Sequence, residues 1–490
     1  MISMNILIRP ISLLILVAGL TVILSNTASA VTVTEVFLGG TGSSYALDAN
    51  GDVWVWGDFL GQKYVHPTKV PFIDQVIMIS PSSSGDAVVL KEDGTVWSWG
   101  SWPATQESSY LGENSTIPVQ IDITDVKYIA STPNTLYMVK TDNSLWMCGR
   151  NLLLSFDDLM HAKNTLDPIQ LPISNVQKVV PTLSFVYVEK NDGSWWSWGE
   201  NRDYQLNDGT NISKGSPVQM QLDNVKSVSA QSMCFGINDD YRSLSGVLAL
   251  DSNGQVYGWG DNTYWVSGDS VFPTYAGVNS DGDSVGYIVS SPHPVPGMSN
   301  VREIGCGVDY YATLKKDGTI WAWGSNPECN DGQSSLDSNT PVQLKGFTDI
   351  AQIIVGDKHF LAIKKDGTIW AWGSNTHGEL GNGEISANGG KPYAVQVADL
   401  YVDLSKGTDA TYLSSTSTQI PTQISGPMIE IDQAETPSPD MAVTASPTLV
   451  PLPNVTPNPA PGFNFNTIAI LCCLYVSAGL LTGFKRRKEL

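Results

Sequence analysis

The sequence is poor in the residues that most often carry chemistry. Its five histidines, His66, His161, His293, His359 and His377, are scattered, and none falls in an HExxH spacing. Six cysteines occur without a CxxC or a Cys/His cluster, which excludes the common zinc sites, and no metal is expected. Cys148, Cys234, Cys306 and Cys329 lie in the body of the chain, and Cys472 and Cys473 in a C-terminal apolar segment. A bridge between Cys306 and Cys329 and a pair of buried free thiols both fit the sequence. There is no phosphate loop and no Ser/His/Asp set that sequence brings together, so no catalytic residue and no cofactor is expected. Positive charge is scarce as well, with 27 Lys and Arg against 48 Asp and Glu and a net charge of −21. Setting aside Arg9 and residues 485–490 leaves 22 basic and 47 acidic side chains, net −25. Such a charge repels nucleic acid, and no nucleic-acid partner is expected.

Tryptophan and glycine are plentiful, and they recur in one pattern, Asp-Gly-x-x-Trp-x-Trp-Gly. Seven copies are present. They carry Trp54, Trp56 and Gly57; Trp97, Trp99 and Gly100; Trp146 and Gly149; Trp196, Trp198 and Gly199; Trp259 and Gly260; Trp321, Trp323 and Gly324; and Trp370, Trp372 and Gly373. Cys148 replaces the second Trp of the third copy, and Tyr257 the first Trp of the fifth. Asp-Gly supplies the positive φ of a tight hairpin turn. Trp-x-Trp puts two indoles on one face of a strand, because side chains alternate with period two. The closing Gly ends the strand where a large side chain would be crowded. Apolar runs before each turn, such as Tyr311–Leu314 and Phe360–Ile363, supply the partner strand.

A second motif runs in step with the first. Pro341-Val342-Gln343-Leu344 is followed by a short turn and another apolar strand, and related stretches begin at Pro67, Pro118, Pro168, Pro217, Pro294 and Pro421. Hairpin and Pro strand together make about four short strands per repeat. The closing glycines are 43, 49, 50, 61, 64 and 49 residues apart. Repeats of ~40–50 residues with four strands are the signature of propeller blades. These repeats resemble those of the RCC1 (regulator of chromosome condensation) family over residues 31–432. The resemblance implies an all-β fold, a seven-bladed β-propeller. The last Pro strand, from Pro421, is expected to complete the blade begun by Val31–Val36, so that no edge stays open.

The ends of the chain read as targeting segments. Residues 1–30 form a secretion signal: Arg9, an apolar run from Ile11 to Leu24, and a small-x-small cleavage site ending at Ala30. Residues 433–461 are a Pro/Thr/Ser-rich stalk that prolines keep extended. Residues 462–484 are apolar and long enough to span a bilayer as a transmembrane helix. The basic run Lys485–Lys488, within 485–490, marks the cytoplasmic side. Pro461-Gly462-Phe463 before the span resembles the PGF-CTERM sorting signal of archaeal surface proteins. That resemblance implies an archaeosortase partner and a lipid that replaces the span; a plain transmembrane anchor is the alternative. Either arrangement places the propeller outside the cell. Asn114, Asn211 and Asn454 open N-x-S/T sequons, which in an exported chain are glycosylation candidates.

The stretches between hairpin and Pro strand differ in length. Asp261–Ser291 and Ser374–Ile420 read as long loops emerging on one face, and Asn279–Asp283 within the first reads as a solvated turn. Trp102 and Tyr110 on a third long stretch, Ser101–Ile117, and Tyr264, Trp265 and Tyr275 on Asp261–Ser291 are the candidate binding residues, for an extracellular protein or glycan. Rings packing back on their own loops are the competing reading. The sequence thus points to a non-enzymatic cell-surface protein. Three other functions stay open: nucleotide exchange on a GTPase and inhibition of an extracellular enzyme through one propeller face, both implied by the resemblance, and hydrolysis by carboxylates in the central channel.

Overall fold

In the structure, a computed structural model, the described residues are 30–40, 42–82, 86–100, 115–149, 165–237, 240–269, 275–278, 284–325, 338–386 and 390–406. The chain divides into two units, Met1–Gln423 and Ile424–Leu490, and every described residue lies in the first. The 29 strands among the described residues fall into seven successive antiparallel blades. The first strands are Val31–Leu38, Val76–Pro81, Val126–Thr132, Val176–Pro181, Val225–Ile237, Val301–Cys306 and Ile350–Val355. The second are Ser43–Asp48, Ala87–Lys91, Thr135–Lys140, Phe185–Lys190, Asp240–Asp251, Tyr310–Lys315 and His359–Lys364. The third hold the Trp-x-Trp motif: Val53–Phe59, Val96–Gly100, Leu145–Gly149, Trp195–Gly199, Val256–Asp261, Ile320–Gly324 and Thr368–Ser374. The fourth are Gln62–Lys69, Ser115–Ile121, Thr165–Gln170, Lys214–Gln219, Ser284–Pro294, Ser338–Gln343 and Gly390–Val402.

Local chemistry accounts for each hairpin. The Gly318 N–H donates to the Lys315 carbonyl at 2.9 Å, and Gly318 takes φ +84°. Only the glycine, or Asn143 in the third blade, has positive φ; the preceding Asp does not. The connection is therefore a type I turn closed by a left-handed residue, not the two-residue primed turn the Asp-Gly pair suggests. At the other end of the strand the closing glycines also have positive φ. A Cβ on Gly57, Gly149 or Gly260 would lie 2.1–2.2 Å from a backbone oxygen in, or just before the start of, the neighbouring strand, which leaves room only for hydrogen.

The core sits between blades. The second Trp of each pair, Trp56, Trp99, Trp198, Trp259, Trp323 and Trp372, is fully buried, and Cys148 takes that buried place in the third blade. The first Trp is only half-buried. The first strands touch in a cycle that returns from Ile350–Val355 to Val31–Leu38, so the seven blades form a closed ring. Bonds from blade to blade tie that cycle. The Ser80 and Ser131 hydroxyls meet at 2.9 Å, the Cys306 N–H donates to Ser229 Oγ at 3.0 Å, and the Ile353 N–H donates to Glu303 Oε2 at 2.8 Å.

Three expectations need correction. The fourth strand of the seventh blade is Gly390–Val402, inside the stretch read as a loop, while residues 421–431 lie outside the described residues. Gln396 pairs with Trp370 as Gln343 pairs with Trp321, but Pro392 stands two residues further from the Val-Gln pair than Pro341 does, which hid the motif. Second, among the described residues no blade is shared between the two ends of the ring. The described strands of blade 1 all come from 31–69, and closure is a short parallel pairing of Val31 with Leu400, Thr32 with Tyr401 and Val33 with Val402. Third, the expected loop Asp261–Ser291 contains a fifth strand, Tyr275–Val278, and the start of Ser284–Pro294. The same blade also extends its first two strands into a ribbon pairing Gln231 with Gly246 through Ile237 with Asp240.

Candidate interaction face

The blade turns divide between the two faces of the ring. One face carries the Asp-Gly turns, and these are internally satisfied. In the sixth blade the Asp317 carboxylate accepts from Thr319 N at 2.9 Å and Thr319 Oγ1 at 2.7 Å, and Trp321 Nε1 donates to the same hydroxyl at 3.1 Å. The pattern repeats at Asp93, Asp142, Asp192 and Asp366. The turn hydroxyls and backbone amides hold all five carboxyls below the usual carboxylate range. In the same five blades a lysine covers the first indole, closest at Lys190, 4.1 Å from the Trp196 ring centre, Lys364, 4.3 Å from Trp370, and Lys315, 4.4 Å from Trp321. Rings and carboxylates on this face are thus occupied by their own turns.

The opposite face carries the connections between third and fourth strands. These vary from the short turn after Phe59 to the long stretches 101–114 and 150–164. Three of them, in blades 4, 5 and 7, share one construction. An Asn two residues past the closing Gly clamps the loop from inside. Leu206 N donates to Asn201 Oδ1 at 2.9 Å, Ser267 N to Asn262 Oδ1 at 3.0 Å, and Leu380 N to Asn375 Oδ1 at 3.1 Å. The blade 4 and blade 7 loops then bond the next blade's buried Trp. Trp259 Nε1 donates to the Gln205 carbonyl at 3.3 Å, and Trp56 Nε1 to the Glu379 carbonyl at 2.9 Å across the ring closure. Each of these two loops fastens two blades together.

Tyr264 and Trp265 belong to the blade 5 loop. Both are half-buried, and Tyr264 packs against the core between blades. Trp265 has φ +59°, at the place where the blade 7 loop has Gly378 and the blade 4 loop has Tyr204, which is also left-handed. Tyr264 therefore packs on its own scaffold. Tyr275 lies on the added strand Tyr275–Val278. Trp102 and Tyr110 lie outside the described residues, as do Asn114, Asn454, Asn279–Asp283, Pro461, Gly462 and Phe463. Ala30 directly precedes the first strand, and Asn211 is exposed at the end of the blade 4 loop.

The closure of the ring brings together a Ser–His pair that sequence alone did not reveal. Ser44 Oγ lies 2.9 Å from His359 Nε2, and Ser44 donates to the Glu379 carbonyl at 3.1 Å. Burial pushes the His359 imidazole down to about 4, against the partial opposition of Glu379. The Glu379 carboxylate does not orient the imidazole; it accepts from Ser374 Oγ at 2.6 Å and from the His377 N–H at 2.6 Å. Ser44 and His359 are both fully buried, and the pair joins blade 7 to blade 1. Cys306 is a buried free thiol, pushed up to about 12 by burial, and Cys329 lies outside the described residues. Among the described residues there is no group of three or more metal-ligating side chains, and no helix is long and apolar enough to cross a membrane.

Comparison with known proteins agrees with this architecture. The Regulator of chromosome condensation (RCC1) repeat matches residues 350–379, the segment from the first strand of blade 7 to Glu379. Protein pim1 of Schizosaccharomyces pombe is 25% identical over 142 residues, which are 27% of this chain and 26% of that protein. The chain thus spans about a quarter of the curated relative it matches. Among solved structures, human WBSCR16 superposes with a TM-score of 0.54 at 17% identity, covering 68% of this chain and 84% of that one. Yeast RCC1 (Prp20) bound to Kap60 gives 0.55 at 19%, covering 72% and 84%. Prp20p of Saccharomyces cerevisiae, described with its binding to Gsp1p and histones, gives 0.53 at 18%, covering 72% and 87%. The chain has the RCC1-type propeller fold and carries an RCC1 repeat.

Proposed function

We propose that this chain is an exported, membrane-held binding protein whose propeller offers one face to an extracellular protein or glycan, without catalysis. One observation carries the reading: a closed ring whose length variation is concentrated in the third-to-fourth-strand connections of a single face. Variable loops on a stiff scaffold are where binding residues accumulate. The Asp-Gly face, by contrast, has lysines over the first indole in five blades and the turn carboxylates of those blades bonded to their own turns. Because Tyr264 packs inward, Trp102 and Tyr110 of the blade 2 connection are the preferred contacts. Residues 1–30 and 433–490 supply export, stalk and anchor in this reading, whether the span stays or a sortase replaces it with lipid.

Binding to a GTPase is the second reading, favoured by the propeller fold shared with Prp20p, a protein described with its binding to Gsp1p. It requires the ring to meet a cytosolic partner, which export prevents. To test the first reading, the full chain is immobilised and exposed to cell-envelope extracts. Replacing 101–114 by a short Gly-Asn turn should abolish capture of a defined partner and leave the melting temperature unchanged. Undiminished capture by the shortened chain rejects this face; tight binding of a small GTPase with accelerated nucleotide release favours the second reading.

A further inference from the structure

We infer that Asn211 is a site of N-linked glycosylation, on the rim of the loop face at blade 4. The inference rests on the export reading above, because the donor, a lipid-linked oligosaccharide phosphate, is met only during or after translocation. The sequon Asn211-Ile212-Ser213 is the one that the described residues include, and its surroundings set it apart from a chance match.

The loop turns Asn211 outward by a specific device. Asn201, fully buried, donates from Nδ2 to the Thr210 carbonyl at 2.8 Å and to the Ile212 carbonyl at 3.2 Å. One internal amide therefore holds the carbonyls on both sides of Asn211. Asp208 fixes the approach, accepting from Thr210 N at 2.9 Å and from Asn201 Nδ2 at 3.0 Å. Asn211 itself is exposed, and its amide makes no hydrogen bond among the described residues. Its neighbour Ile212 is 63% exposed, a large aliphatic side chain left in water with no packing role. A sugar on Asn211 would shield it.

In the transfer, Asn211 Nδ2 forms a bond to the anomeric carbon of the donor sugar. The bond from that carbon to the carrier phosphate breaks, the phosphate leaves with the lipid, and the proton displaced from the amide passes to solvent. In the folded loop the Ser213 hydroxyl accepts from the Asn201 N–H at 3.2 Å. A sequon whose hydroxyl is so engaged is reached most easily before the loop locks, so transfer belongs to the translocating chain.

The test separates this from the export reading. Residues 1–30 are replaced by the leader of a glycosylating eukaryotic cell, with Asn114→Gln and Asn454→Gln in the background. The tryptic peptide 203–214 is then analysed from both the secreted and the lumenal fractions, with and without glycosidase. Glycan on Asn211 in most of the peptide, lost in Asn211→Gln with unchanged melting temperature, supports the site. Recovery of only unmodified peptide from these fractions overturns it. A parallel arm with the natural residues 1–30 asks only whether the chain is exported and cleaved.

Discussion

Glu303 gives the sharpest quantitative test of the packing between blades. Its carboxyl is buried between the first strands of blades 6 and 7, with Oε2 accepting from Ile353 N and Oε1 3.5 Å from Arg302 Nη2. Burial raises it from 4.5 to about 7, outweighing Arg302, the Ile353 N–H and Lys226, which all favour the charge. An acid whose folded value exceeds its unfolded value keeps its proton longer in the fold. Stability from this group is present below pH 4.5 and is lost as pH rises through 7. A shift of that size corresponds to about 3 kcal/mol at pH 8. Glu303→Gln retains an acceptor for Ile353 N and removes the charge. Its new amide protons face Arg302, which offsets part of the gain, so a stabilisation of roughly 1–3 kcal/mol at pH 8 is expected. The difference should shrink to near zero at about pH 4.5. Denaturant unfolding of both proteins at half-unit pH steps reads this directly, and taking the difference cancels the other buried acids. If Glu303→Gln is less stable than the parent at pH 8, the ion pair with Arg302 dominates and burial has been overvalued.

Gly324→Ala should destabilise by more than about 2 kcal/mol, because φ is +113° and the new Cβ would lie 2.6 Å from both the Asp309 oxygen and Tyr310 Cα; a thermal melt checks it. Thr319→Ala removes the hydroxyl joining Asp317 to Trp321 and should cost about 1 kcal/mol in denaturant unfolding, with the fold retained. Trp265→Gly relieves a left-handed backbone while losing ring packing, so the melting temperature should change little; a large drop would show that the indole carries the loop. His359→Gln should flatten the acid limb of stability: the depressed imidazole contributes fully above pH 6.5 and is lost as pH falls toward 4, and NMR titration of His359 in the folded chain should centre near pH 4.

Much of this was readable because the repeat is periodic. Seven closing glycines fixed the number of hairpins, and the Pro-Val-Gln stretches located six of seven fourth strands. The seventh failed because Pro392 is displaced, although Val395-Gln396-Val397 kept its register against Trp370 and Ala371. The loop clamp was also visible in principle: Asn151, Asn201, Asn262, Asn326 and Asn375 all stand two residues after a closing Gly. What hid it is that an Asn near Gly reads first as a turn residue. The Ser44–His359 pair was beyond sequence reasoning, since it joins residues 315 apart and depends on how the ring closes.

That closure has a consequence for how the gene can be rearranged. Each blade is one uninterrupted stretch of chain, and the ring is fastened by the pairing of Val31–Val33 with Leu400–Val402. The entry and exit of the disc are therefore neighbours. Linking 406 to 31 with a few flexible residues and cutting instead at an Asp-Gly turn should give a permuted protein that still assembles all seven sectors.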